Sequence, residues 1–179
     1  MPDMNGSAAA IETDLLVKRY GSFAALDGLT LRVPRGMIYG LLGPNGAGKT
    51  TAIRILCGLA RADSGEARLL GRPLPDRTVL PKIGYMPQDI ALYGELSVFR
   101  NLALFGEMHG MSPERIAARA KELLDLVGLS GWRGSLVTAL SAGMKRRVSL
   151  ACAMMHAPGI LFLDEPTVGV DPELKISFW

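Results

Sequence analysis

Two short stretches carry residues whose types and spacing suit phosphate chemistry. The first is GLLGPNGAGKTT, in which Gly43, Gly48, Lys49 and Thr50 satisfy the pattern G-x-x-x-x-G-K-[ST]. Glycines at this spacing let backbone N–H groups turn inward around phosphate oxygens. A helix beginning near Gly48 would aim its unpaired N–H groups and positive dipole end at the same place. Lys49 reaches β- and γ-phosphates as a point charge, and Thr50 offers a hydroxyl to Mg²⁺. With Gly at about 7% of residues, a chance match arises about once in a hundred or more chains of this length. Here the pattern also sits between an apolar run and a helical stretch, which is the context the chemistry needs.

The second stretch is ILFLDEP. Four apolar residues predict a strand buried on both faces, ending in Asp164 and Glu165. Asp164 suits Mg²⁺ held through water, and Glu165 suits orienting or deprotonating an attacking water. The alternative is a pair of solvated acids at a strand exit. A third stretch, LSAGMKRR, places Ser141-Ala142-Gly143 before a basic helix. It is either a second phosphate site or an ordinary serine N-cap. The run Lys145-Arg146-Arg147 reads first as a solvated face and only second as a binding patch.

These residues need elements to hold them. The chain has 179 residues, 49% hydrophobic and 21% charged, enough for one domain with a real core. The net charge of +3 permits anionic ligands without arguing for a nucleic-acid surface, and no nucleic-acid partner is expected. Cys57 and Cys152 lie far apart in apolar, helix-like stretches and read as buried free thiols, with no metal spacing or disulfide framework. Residues 1–10 lack the features of a signal peptide and read as a disordered lead-in. No apolar run approaches the ~20 residues that span a bilayer.

Strands are predicted at Ile11–Lys18 and Leu29–Val33, punctuated by Gly28 and by Pro34-Arg35-Gly36. Another is predicted at Met37–Leu42, the run MIYGLL that enters the glycine-rich turn. A helix follows over Ala47–Leu59, then strands at Ala67–Leu70 and Lys82–Met86. Helices are predicted at Ser97–Met108, from the Ser112-Pro113 start signal to Val127 with Gly128 as the stop, and from Ser141 to Met155. Ile160–Leu163 is the last strand. The pattern is an α/β core carrying a helical insertion over about 93–140.

Taken in order, these motifs resemble the ATP-binding-cassette (ABC) ATPases over about 11–179. LSAGM, Leu140 to Met144, resembles the LSGGQ signature. GPNGAGKTT, from Gly43 through Pro44, Asn45, Gly46, Ala47, Gly48, Lys49 and Thr50 to Thr51, resembles the Walker A loop. Gln88, in YMPQD, stands at the Q-loop, and ILFLDEP resembles Walker B. Gly169-Val170-Asp171 stands at the D-loop. Tyr20 matches the aromatic that stacks on adenine. MKRR and PTVGVDP are similar to the exporter branch that moves drugs or polysaccharides. The resemblance implies a P-loop NTPase core sheet with an N-terminal antiparallel β portion and an inserted α-helical subdomain. The cofactors it implies are ATP and Mg²⁺, and the partners a transmembrane permease and a second nucleotide-binding domain closing head to tail, on the cytoplasmic face of the membrane. It makes Glu165, Lys49 and Gln88 catalytic, gives the metal to Thr50, Gln88 and Asp164, and sets Ser141, Gly143 and Asp171 at the dimer seam.

Ala142 and Met144 depart from the signature. If position 142 required φ > 0, an alanine there would weaken contact with the partner's ATP. The family's switch histidine follows the D-loop helix, whereas His109 and His156 both precede Walker B and read as helix-surface or helix-end residues. The expectation from the resemblance is that the C-terminal part of the core is missing and that the chain hydrolyses ATP poorly or not at all. The competing functions are a non-transport ABC ATPase of repair, chromosome organisation or translation, and a nucleotide-binding fragment without turnover. Lys49 and Ser141 lie about ninety residues apart with no heptads, unlike chromosome and repair relatives.

Overall fold

The computed structural model describes residues 8–165. Asp171 and the rest of the predicted D-loop fall outside them. The chain forms two compact units that divide between Pro81 and Lys82.

The first unit is built on an antiparallel sheet of order β2-β1-β3-β4, with β1 at Ala9–Tyr20, β2 at Phe23–Pro34, β3 at Ser64–Leu69 and β4 at Arg72–Pro73. β1 and β2 are longer than their apolar patterns predict. Gly28 does not end a strand but lies inside β2 with φ +82, as the extra residue at the register shift between Leu16 and Val17, next to a second shift between Thr13 and Leu16. A bulge of this kind takes up one extra residue and lets the ladder continue. The hydroxyl of buried Thr13 fastens it, donating to the Leu29 carbonyl at 3.0 Å and accepting from the Leu31 N–H at 3.1 Å. Helix α1, Lys49–Leu56, is shorter than predicted at both ends.

The predicted strand at 37–42 is not formed. MIYGLL has no ladder to any described strand, and Met37, Ile38, Tyr39 and Leu42 are exposed, Leu42 at 94%. An apolar run shows that a segment prefers burial, but a strand takes its hydrogen bonds from neighbours, and none is supplied here.

The second unit pairs β5, Ile83–Met86, in parallel with β6, Ile160–Leu163, in the register Ile83↔Ile160 to Met86↔Leu163. β6 is as predicted in length, though only Phe162 is buried and its neighbours are half-buried. Three helices follow from clear start signals. α2, Val98–Met108, is capped by Ser97, whose hydroxyl accepts from the Arg100 N–H. α3, Pro113–Leu126, is capped by Ser112, with proline at its first position. α4 is Ala142–Ala153. Their apolar faces meet in a core that includes Leu102, Ile116, Leu123, Leu124, Val148 and Cys152. Both cysteines are buried and in no disulfide, as expected, and burial pushes the Cys152 thiol up to about 12.

The helices also cap one another. Arg147 of α4 donates to the Val127 carbonyl at the end of α3, at 2.9 Å. Arg119 of α3 donates to the Met154 carbonyl at the end of α4, at 3.2 Å. Each cation meets the negative end of a helix dipole. Fully buried Asn101 joins the preceding segment to α2, accepting from the Tyr93 N–H and donating to the Tyr93 and Ser97 carbonyls.

His109 and His156 stand at helix ends, as predicted, but stack face to face with centroids 3.7 Å apart. The carbonyl of Ile83 can only accept, so His156 carries its proton on Nε2, 3.0 Å away. Its Nδ1 is buried and has no hydrogen-bond partner among the described residues. Burial holds both rings below the usual histidine range; the charge of His109 lowers His156 further, and the bond to Ile83 opposes this. A histidine whose folded pKa is depressed favours folding above its unfolded pKa, ~6.5, and loses that contribution as pH falls through the folded value. The urea midpoint is therefore expected to be lower at pH 5.5 than at pH 7.5, and the difference to shrink in a His109→Gln/His156→Gln variant. An unchanged difference in that variant would assign the effect to other groups.

Candidate functional site

In the first unit the glycine-rich turn delivers its residues to the start of α1. Gly48 is the N-cap with φ +84, and no side chain caps this helix. An added Cβ at Gly48 would lie 2.1 Å from the Ala25 carbonyl oxygen. Position 48 thus requires glycine twice, for its left-handed backbone and for the close approach of β2. The Ala47 N–H closes the turn on the Pro44 carbonyl at 3.2 Å. The Lys49 side chain folds back over it, its ammonium donating to the carbonyls of Gly43 at 2.8 Å and Pro44 at 2.9 Å. Asn45 and Gly46 are exposed on the loop, and Thr50 and Thr51 sit half-buried in the first helical turn.

These features fit a bound phosphate. The first turn of α1 contains no acid, and among the described residues no side chain caps its N-terminus, which leaves the helix N–H groups open to an anion. The Lys49 cation is already drawn over the loop. Tyr20 closes β1 and is 51% exposed, with the Lys18 ammonium 5.4 Å from its ring centroid. Its ring is accessible for stacking.

In the second unit the parallel register sets Pro87-Gln88 beside Asp164-Glu165, where β5 and β6 leave the sheet at their carboxyl ends. The Asp164 N–H extends the ladder to the Met86 carbonyl at 3.0 Å. Gln88 Nε2 donates to Glu165 Oε2 at 3.2 Å. The acidic pair is therefore not simply solvated: Asp164 is 2% exposed and Glu165 half-buried. Glu165 has φ +50, a left-handed conformation that costs a non-glycine residue about 1–2 kcal/mol.

Arg146 explains how these exits are held, and its role differs from the predicted solvated face. It is 4% exposed. Nη1 donates to the Pro87 carbonyl at 3.0 Å and to that of Gln88. Nη2 donates to the Asp164 carbonyl at 2.7 Å and to that of Glu165. Burial lowers its pKa, opposed by the charges of Asp164, Glu165 and Asp89. The signal was in the sequence, since Arg146 shares a helical face with Leu150 and Ala153, both buried.

Ser141 is the N-cap of α4, its hydroxyl accepting from the Met144 N–H at 3.3 Å, and Gly143 lies in the first turn. Ala142 is the first helical residue and is not among those with positive φ. The steric cost that would follow from a left-handed position 142 is absent.

The sequence profile described as ABC transporter matches residues 26–168. The daunorubicin resistance ATP-binding protein DrrA3 of Streptomyces coeruleorubidus is 45% identical over 172 residues, which are 95% of this chain and 54% of that protein. The Nod factor export ATP-binding protein I of Paraburkholderia xenovorans (strain LB400) is 43% identical over 173 residues, 96% of this chain and 57% of that protein. The chain thus spans a little over half the length of these relatives. A solved structure described as the ATP binding subunit of an ABC transporter superposes with a TM-score of 0.81 at 32% identity, covering 91% of this chain and 69% of that one.

Substituting Gly48→Ala is expected to destabilise the chain by about 2–4 kcal/mol through the left-handed backbone and the overlap with Ala25. Urea unfolding would measure this, and a loss under about 0.5 kcal/mol, the range of an ordinary surface change, would contradict the close packing.

Proposed function

Because the chain belongs to the ABC transporter family, we propose that it is the ATP-binding part of an exporter, coupling ATP binding and hydrolysis to movement of a substrate through a separate transmembrane permease. The observation that carries the reading is the glycine cradle, with the Lys49 ammonium drawn over it and an uncapped helix N-terminus beside it. The relatives named for drug resistance and Nod factor export support the exporter branch. Among the described residues no helix is long and apolar enough to cross a membrane.

In this reading Gly43, Pro44, Asn45, Gly46, Ala47, Gly48, Lys49, Thr50 and Thr51 hold the phosphates, and Tyr20 stacks on the adenine. Lys49 exchanges its two carbonyl acceptors for ionised phosphate oxygens, which bind the ammonium more strongly. Thr50, Gln88 and Asp164 hold Mg²⁺. Bound there, Mg²⁺ would neutralise charge on the β- and γ-phosphates. Glu165 orients water and accepts its proton, and Gln88 fixes the direction of that carboxylate. Ser141, Gly143 and Asp171 face the nucleotide of a second domain in a head-to-tail dimer on the cytoplasmic face of the membrane. Position 142 is compatible with alanine, so Ala142→Gly is not expected to relieve strain.

Substituting Lys49→Ala is expected to weaken ATP binding at least about 30-fold, ~2 kcal/mol, while the far-ultraviolet circular dichroism stays as in the parent. Equilibrium titration with a fluorescent ATP analogue checks this. Unchanged affinity would place the nucleotide elsewhere and overturn the reading.

A further inference from the structure

Arg146 has no part in the roles above, yet its guanidinium is buried and reaches both loops that carry the water-handling residues. One guanidinium nitrogen is assigned to each loop: Nη1 to the carbonyls of Pro87 and Gln88, Nη2 to those of Asp164 and Glu165. These are four backbone acceptors from two segments far apart in sequence, addressed from a third element, α4. The Gln88–Glu165 side-chain bond at 3.2 Å lies between the two clamped segments. The left-handed backbone of Glu165 is held through its own carbonyl.

We propose that Arg146 is a positioning residue that fixes Gln88 and Glu165 relative to each other, so that the two loops move as one body with the start of α4. The planar fork of the guanidinium is what makes this geometry available. Its two terminal nitrogens diverge at a fixed angle and each supplies two N–H groups, one pair per loop. A lysine offers a single nitrogen at one point and cannot serve both segments with the same directions. Three carboxylates, Asp89, Asp164 and Glu165, lie close enough to favour the cation. Burial lowers its pKa, but a guanidinium's ordinary value is so far above neutral that the charge stays at the junction. Because Ser141 caps the same helix, displacement at the N-terminus of α4 would be transmitted through Arg146 to the backbone of Gln88 and Glu165. The functional meaning of this coupling rests on the ATP-binding reading above; the mechanical claim does not.

The test uses the 179-residue chain and two variants, Arg146→Lys and Arg146→Met. Hydrogen–deuterium exchange is followed in peptides covering 85–90 and 161–165, with a peptide from α3 as reference. Exchange in both loop peptides is expected to rise together, at least about threefold in the lysine variant and at least about tenfold in the methionine variant, with the α3 peptide within about twofold of the parent. No rise in either loop, a rise in one loop only, or an equal rise in α3 in both variants would overturn the proposal. ATP affinity is measured in parallel with and without Mg²⁺. In the lysine variant the gain in affinity from Mg²⁺ is expected to fall at least about fivefold, while metal-free affinity stays within about twofold, a split that general loosening would not produce. An unchanged Mg²⁺ gain would overturn the positioning role. If the parent chain binds no ATP at all, the function proposed above fails, and the exchange data alone decide whether Arg146 couples the loops.

Discussion

A guanidinium taken out of water must find acceptors for its N–H groups, and this constraint organises the second unit. Arg146 finds them for its two terminal nitrogens in the backbone of the two strand exits, while its Nε is buried without a hydrogen-bond partner among the described residues. A buried cation with partners on only one side would leave donors unsatisfied at a cost of about 1–3 kcal/mol each. The arrangement is stable only when α4, β5 and β6 are all in place, and the same contacts that satisfy the charge fix where Gln88, Asp164 and Glu165 stand. The helices repeat the device at lower cost, with Arg119 and Arg147 each closing the end of the other's helix. Polar contacts of arginine with main-chain carbonyls thus set the register between elements whose apolar faces supply the driving force for packing.

The first unit solves a different problem. Its glycine-rich turn carries open helix N–H groups and a lysine cation, with no acid in the first turn of α1. Gly48 permits the left-handed turn under the Ala25 carbonyl, and Lys49 parks its charge on the carbonyls of its own loop. Those carbonyl bonds are neutral-acceptor bonds, weaker than bonds to an ionised oxygen, so an incoming phosphate competes for the ammonium on favourable terms. The loop is in this sense prepared for an anion.

Much of this was legible in the residues themselves. Ser112 and Ser141 announced two helices because a serine hydroxyl accepting a first-turn N–H leaves a local sequence signature, and the helical spacing of Val98, Leu102 and Phe105 announced the third, whose Ser97 cap the structure adds. The turn into α1, with Gly48 at the N-cap and Lys49 folded back over the loop, was legible in the fixed spacing of its glycines and lysine. MIYGLL misled because apolarity reports a preference for burial, not the presence of a strand to pair with. Gly28 misled because a glycine that ends a strand and one that sits in a bulge look alike until the opposite strand is known. The face of α4 was the largest miss. Charge in Lys145-Arg146-Arg147 suggested solvent, yet helical spacing from Arg146 to Leu150 and Ala153 pointed inward, and four carbonyls supplied by other elements could not be read from the helix alone. The question of a left-handed position 142 was settled by the backbone, which is helical there.

The central claim is that residues 43–51 are the seat of ATP. Amide hydrogen exchange across that segment, compared with and without saturating ATP, tests it most directly. Exchange slowed by about tenfold or more, confined in the first unit to this segment and the neighbourhood of Tyr20, is the result expected. Exchange unchanged across 43–51 while ATP is demonstrably bound would contradict it.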